Sequence, residues 1–368
     1  MDRVLIAACL LLAACPSAAP EPEPTPAPIP EATPEPTPEP TPAKKELATA
    51  ELPGDVCLAA GLDRLPDGRT VVVDAARSNA VALFATADLE SAPTWVDLSF
   101  KSMEGPLPET IEDLAAVASR GGEFLVVGSF AHDTGDGCPL PQHRAKLLRG
   151  TATDDGIEWQ GRVRVTPCLW NGTGEHCRRP SGLTASVEAC KAELFTSKIT
   201  TSGDSVCGVL VQAEADIAAG TCGPGMAVSA ATIVAGRGGK KVWLALRSPL
   251  SVAGETILLR LEQPLEQLSR FAFDRASYLE LPAGHEVRGM STEGDAVLVA
   301  TDGPGGGKVF EVQARDLKDG ESAPLTEVAE LPAGVQGLGA GLSGAVALFG
   351  GTASGDACAT KPRSGVVE

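Results

Sequence analysis

The sequence lacks most of the marks by which an enzyme is recognised. It contains no Gly-x-Ser-x-Gly elbow, no His-Glu-x-x-His pair and no Walker loop, the local signatures of a serine hydrolase, a zinc protease and a P-loop nucleotidase. No Cys-x-x-Cys occurs and Glu175-His176-Cys177 stands alone, so no structural metal site is expected. Its four histidines are scattered through polar sequence. Positive charge is scarce: 30 Lys and Arg stand against 48 Asp and Glu, a formal net charge of −18. Nucleic acid and anionic lipid both call for clustered positive charge, and neither is an expected partner of the domain. The N-terminal apolar run, Val4 to Leu12, is nine residues, against the roughly 20 needed to cross a bilayer.

What that run does have is the length of a secretory signal core, followed by Leu12-Ala13-Ala14-Cys15. Small residues before a cysteine resemble the lipobox of bacterial lipoproteins. The resemblance implies cleavage of a signal peptide, residues 1–14, and lipidation of Cys15. Each acyl methylene buried in a bilayer contributes about 0.8 kcal/mol, so two or more chains anchor stably. Residues 16–43 then hold 12 of the 29 prolines, with the register EATPEPTPEPTP. Such a segment cannot bury a core and favours extended polyproline II. Residues 15–45 therefore read as a lipidated stalk, and residues 46–368 as the domain it carries. Pro16 in place of Asp after the cysteine points to the outer membrane of a diderm envelope.

Beyond Cys9 and Cys15, eight cysteines remain. An even number in an exported chain suggests disulfides. Residues 168–222 hold five of them and few strand signals, which reads as a cysteine-rich insertion with Cys168–Cys177 as its most plausible local bridge; the fifth then pairs with Cys138 or another distant partner.

An internal repeat organises the domain. ELPAGHEVRGMSTEGDAVLVA from Glu280 and ELPAGVQGLGAGLSGAVALFG from Glu330 share eight of 21 positions at an offset of 50. The unit, a loose apolar strand, a glycine, then a second apolar strand, recurs at Gly68, Gly122, Gly239, Gly294 and Gly344, at intervals of 54, 117, 55 and 50. The long interval suggests a hidden unit between residues 150 and 215, with Val206 to Ile217 as its strand. The expected fold is all-β: a β-propeller of about six blades, with two β-sandwich domains as the alternative. Runs such as Val71-Val72-Val73 read as strands covered on both faces. Ring closure should bring Cys57 and Cys358 together, bonded or not.

Propellers commonly bind at one end of the channel. The positions following the inner-strand valines include Asp74, Gly128-Ser129, Arg247 and Asp302, with His132 and Arg288 nearby. Asp74, His132, Arg247, Arg288 and Asp302 are the candidate ligand-binding residues; the plainer reading is that they are turn and strand-end residues. IEDLAAVASRGGEFLVVGSFAHD, RAKLLRG, VWLALRSPL and EVRGMSTEGDAVLVATDGPGG resemble, in order and spacing over residues 55–350, a bacterial family called domain of unknown function 3616. Asp113-Leu114, Gly128-Ser129 with His132, Leu246 to Pro249 and Val287-Arg288-Gly289 carry the likeness. It implies a propeller-like fold and lends no mechanism. Ala115 and Ala230-Ala231 stand where the family pattern leads one to expect acids.

Two functions follow. The first is an anchored binding or interaction domain, for an envelope protein or a small polar ligand. The alternative is an extracytoplasmic hydrolase of esters, lactones or phosphoesters, with a divalent cation as its one cofactor and Asp74, His132, Arg247 and Asp302 around it. That alternative rests on fold-level analogy alone.

Overall fold

The computed structural model describes residues 47–367, apart from 88, 103–104, 134–137, 139, 142, 165–185, 197–201, 224, 341–343 and 355–356. The strands come in chain order. β1 (Thr49–Glu51) is followed by blade I: β2 (Ala59–Arg64), β3 (Thr70–Asp74), β4 (Ala80–Phe84) and β5 (Thr94–Asp97). A hairpin, β6 (Ser99–Ser102) and β7 (Gly105–Pro108), leads to blade II: β8 (Leu114–Arg120), β9 (Glu123–Gly128), β10 (Lys146–Thr153) and β11 (Gly156–Arg164). Two helices, α1 (Val187–Leu194) and α2 (Ser202–Ala218), precede blade III: β12 (Ala227–Gly236), β13 (Gly239–Ser248), β14 (Thr256–Leu261) and β15 (Phe273–Leu279). Blade IV is β16 (Glu286–Glu293), β17 (Ala296–Gly303), β18 (Gly306–Gln313) and β19 (Thr326–Leu331). Blade V begins with β20 (Val335–Gly339) and β21 (Ala345–Phe349), and after a small hairpin, β22 (Thr352–Ser354) and β23 (Ala357–Thr360), adds β24 (Arg363–Val367). Its outermost strand is β1.

The innermost strands β2, β8, β12, β16 and β20 neighbour one another in that order, and β20 returns to β2. The result is a five-bladed β-propeller, one closed ring rather than two sandwiches. Five apolar clusters fill the five spaces between blades. β3, β4 and β21 are buried along their whole length, as expected of strands covered on both faces. Fully burying a Leu, Val or Phe contributes roughly 1.5–3 kcal/mol, so these inter-blade faces are the main source of stability.

The six-blade expectation fails at one place. Gly68, Gly122, Gly239, Gly294 and Gly344 all have positive φ, from +60° to +122°, and each sits in the hairpin joining the first and second strands of its blade. These five turns mark five blades. Among the described residues the 117-residue interval holds no sixth unit; it holds the rest of blade II and the helical insertion. Val206 to Ile217, expected as a strand, lies in α2. A short apolar run has no legible period, and here the buried residues are Val206, Cys207, Leu210, Glu214 and Ile217, the spacing of one helix face. The insertion packs its Cys190, Leu194, Phe195, Val206, Cys207 and Leu210 into the core between blades II and III.

Closure uses two devices. β1 pairs antiparallel with β24, Thr49 opposite Gly365 and Glu51 opposite Arg363. Cys57 and Cys358 are disulfide-bonded, with Cα atoms 4.9 Å apart and a sequence separation of 301. Constraining so long a loop stabilises by roughly 3–5 kcal/mol in the chain-entropy account. Cys138–Cys222 and Cys190–Cys207 tie the insertion to blade II and to itself. Cys168 and Cys177 lie outside the described residues.

Candidate functional site

The innermost strands begin at one end of the ring, the upper face, and run to the glycine hairpins at the other, the lower face. Each of the five carries a register shift against its second strand at the same level: Ala59/Gly61, Leu114/Ala116, Val228/Ala230, Val287/Gly289 and Val335/Gly337. The extra residues are Ala60, Ala115, Ser229, Arg288 and Gln336. Bulges of this kind bend a strand and re-aim a side chain. Here they form a ring at the upper end of the axis. The position expected to hold an acid, Ala115, is blade II's member of that ring.

Immediately beneath lie Gly61, Ala116, Ala230, Gly289 and Gly337. A Cβ on Gly337 would come within 3.0 Å of the Gly61 Cα, and one on Gly289 would overlap the backbone nitrogen of Leu338. Small residues thus let five backbones converge until the axis closes. The axial cavity lined by Ala60, Ala115, Ser229 and Arg288 has a volume of about 10 Å³, about the space one water needs. Ser229 Oγ and Arg288 Nε are buried there without a hydrogen-bond partner among the described residues.

Below the constriction sits a residue the repeat did not reveal. Asp63 on β2 is 3 % exposed. Its Oδ1 accepts from Ser291 Oγ at 2.8 Å on blade IV and from Arg64 N at 2.9 Å; its Oδ2 accepts from Ser119 N at 2.5 Å on blade II. Ser291 Oγ in turn accepts from Ala340 N at 2.9 Å, beside blade V. One carboxyl therefore links four blades across the axis. Burial pushes its pKa up to about 7, against the hydrogen bonds from Ser291, Ser119 and Arg64, which favour the ionised form.

The sequence-derived candidates lie at the upper face, each in its own surroundings. Asp74, 1 % exposed, accepts from the backbone nitrogens of Cys57 (2.8 Å), Leu58 (2.9 Å) and Ala76 (2.9 Å), fixing the chain that enters blade I. Asp302 accepts from Gly334 N at 2.8 Å and so holds the link from blade IV to blade V. Arg288 pairs with Glu286 at 2.8 Å. His132 is buried; its Nδ1 is 2.7 Å from the Cys138 carbonyl and its Nε2 3.1 Å from Glu214 Oε1 on α2. Burial opposes its protonation, but the Glu214 hydrogen bond and charge and the Cys138 carbonyl outweigh that and raise its pKa. Arg247 is exposed. Among the described residues no group of three or more His, Cys, Asp or Glu is placed to hold a metal ion.

Blade II has the most constrained part of this face. Asp113, Phe130 and Cys138 adopt left-handed φ of 52°, 57° and 45°, which costs energy in a non-glycine residue. Ser129 N donates to Asp113 O at 2.9 Å and Phe130 N to Arg144 O at 3.2 Å. Arg144 spans Asp133 at 2.9 Å and Asp113 at 3.8 Å.

No family model matches the chain, and no curated protein matches it. Among solved structures it is similar to the Pan2 WD40 domain of Neurospora crassa at 10% identity and a TM-score of 0.31, over 78% of this chain and 58% of that one. It is similar to the Dos1 propeller at 9% identity and a TM-score of 0.35, over 83% and 68% of the two chains. An exo-β-1,3-galactanase of Phanerochaete chrysosporium with bound β-1,3-galactotriose gives 11% identity and a TM-score of 0.42, over 87% and 63%. The chain spans less than two thirds of the Pan2 and galactanase chains. The assignment of five blades rests on the strand pairing itself.

Proposed function

We propose that this chain is a tethered interaction module: a propeller over residues 46–368, carried by the stalk of residues 15–45 on a lipid attached to Cys15, and presenting its upper face in the cell envelope, with the outer membrane as its site. The observation that supports it is how the upper face spends its polar groups. Asp74, Asp302 and His132 are engaged in holding loops and the insertion in place, and the axis narrows to about 10 Å³. A hydrolase built on Asp74, His132, Arg247 and Asp302 would need those groups turned toward one substrate. What the face offers instead is breadth: exposed Arg247, the Asp113–Arg144–Asp133 group and the rim of blade III.

Oxidised full-length protein offered ester, lactone and phosphoester substrates, with divalent cations or with chelator, is expected to show no turnover and no chelator-dependent change in melting temperature. Turnover that disappears in Asp302→Asn and Arg247→Ala would overturn the interaction reading. For the anchor, Cys15→Ser is expected to move the protein from the membrane to the soluble fraction, and its retention in membranes would contradict lipidation.

A further inference from the structure

A cavity larger than the axial one lies off the axis. It has a volume of about 230 Å³ and lies at the outer rim of blade III, under the N-terminal turn of α2. Its lining includes Val206, Ile257 and Tyr278, all buried, which present apolar surface. Ser205 and Val252 stand at its mouth, and Val252 is 90% exposed, with Leu250 beside it at 44%. The one charged group in the lining is Glu255. Its Oε2 accepts from Ser251 Oγ at 3.0 Å and its Oε1 from Ser322 Oγ, and it makes no ion pair among the described residues. Neutral donors leave its charge uncompensated, and a carboxylate retains lone pairs for further donors.

The surroundings add to the negative field. Asp319, behind the Tyr278 end of the pocket, accepts from Ser202 Oγ at 2.5 Å and Ala276 N at 3.0 Å, again neutral donors. Burial first, then Asp319 and Glu255, hold the Tyr278 hydroxyl above its ordinary pKa. The nearby basic groups do not line the pocket: Lys318 pairs with Glu321 at 3.4 Å, and Arg275, whose charge interacts with Asp319, donates Nη1 to the Leu317 carbonyl at 2.9 Å. A pocket with apolar side chains, one aromatic face and one carboxylate without an ion-pair partner among the described residues is complementary to an aliphatic stem ending in a cation.

We infer that this pocket receives a lysine or arginine side chain of a partner protein, the stem lying along Val206, Ile257 and Tyr278 and the charged head meeting Glu255. The exposed Val252 and Leu250 then form an apolar lip for a neighbouring residue of the same partner segment. This inference rests on the interaction reading above and names the kind of residue the module would hold. A basic partner also suits a chain of net charge −18, whose field accelerates encounter with positive surfaces.

The chain has a single tyrosine, so labelling tyrosine with ¹³C in the full-length protein gives one ring environment that reports this pocket. The probes are N-acetyl-lysine amide, N-acetyl-arginine amide, the neutral N-acetyl-norleucine amide and N-acetyl-glutamate amide. The lysine and arginine probes should shift the Tyr278 signal saturably, at least tenfold more tightly than norleucine, and glutamate should not. Glu255→Gln, nearly isosteric, should weaken the lysine probe at least tenfold with the melting temperature unchanged. Equal response to lysine and norleucine, no saturable shift with either cation, or an unaltered affinity in Glu255→Gln would each overturn the inference. Its failure leaves the interaction reading standing, because that reading is judged by turnover and by crosslinking at Arg247, neither of which depends on cation binding beside Tyr278.

Discussion

The inner hairpins of the lower face and the connections of the upper face follow opposite rules. The five hairpins repeat one solution: a positive-φ glycine between two apolar strands. The connections between the second and third strands differ in every blade: residues 75–79, 129–145, 249–255, 304–305 and 350–362. That upper side also carries the Cys57–Cys358 and Cys138–Cys222 bonds, the left-handed Asp113, Phe130 and Cys138, the ring of bulges, and one end of the insertion. A ring repeats where each blade must turn tightly to reach the next strand, and diverges where loops are free to meet something else. The difference is the physical basis for assigning recognition to the upper face.

The comparison can be broken at several strengths. The largest effect is expected at ring closure. Cys57→Ala with Cys358→Ala should cost roughly 3–5 kcal/mol in denaturant unfolding, with one cooperative transition for the whole ring. Cys190→Ala with Cys207→Ala, which releases a bridge of sequence separation 17, should instead loosen α1 and α2 in hydrogen exchange while the blades keep their protection. Equal global losses from the two pairs would show that the insertion is part of the ring's cooperative unit.

On the axis, Asp63 gives a pH signature. Its folded pKa of about 7 lies above its unfolded value, so the folded state holds the proton more tightly. Its contribution is therefore most favourable below the unfolded pKa and declines as pH rises toward 7, then levels off. Melting temperatures of the wild type should fall across that window for this reason, and Asp63→Asn should reduce the slope. An unchanged slope would mean that Asp63 is not the titrating group. His132 acts oppositely to an ordinary carboxylate: with its pKa raised, its pairing with Glu214 is fully present below about 6.5 and is lost as pH rises through the raised value. Protection of α2 from hydrogen exchange should fall over that range and become flat in His132→Ala. The smallest effect belongs to the lower face. Gly68, at φ +90° with nothing within 4 Å of an added Cβ, should lose only about 1 kcal/mol on substitution by Ala. A much larger loss would show that the hairpins do more than turn.

The same contrast explains what could be read from the sequence. The repeat from Glu280 and Glu330 spans the linkers and inner strands of blades IV and V, where conformational demands coincide, so the repeat, its apolar runs and its turn glycines exposed the propeller. The blade number went astray where α2 presents an apolar run that matches a buried strand in composition but follows a helical period in burial. Ring closure through Cys57 and Cys358 was legible because closure brings the two ends of any propeller together. Asp63 was not, because the equivalent positions in the other blades hold Ala118, Thr232, Ser291 and Gly339, and only the three-dimensional approach of β2, β8 and β16 makes a network of them. The pocket at blade III was equally hidden: Ser205, Glu255 and Tyr278 come from an insertion, a loop and an outer strand with no shared motif.

The most direct test of the account places a photo-crosslinking amino acid at Arg247, exposed on the upper face of blade III, and separately at Arg237, exposed in the lower hairpin of the same blade, in the full-length protein expressed in its native cells. A discrete adduct from position 247 and none from 237 is the result the account predicts. No adduct from either position, or the same adducts from both, would contradict a recognition surface on the upper face.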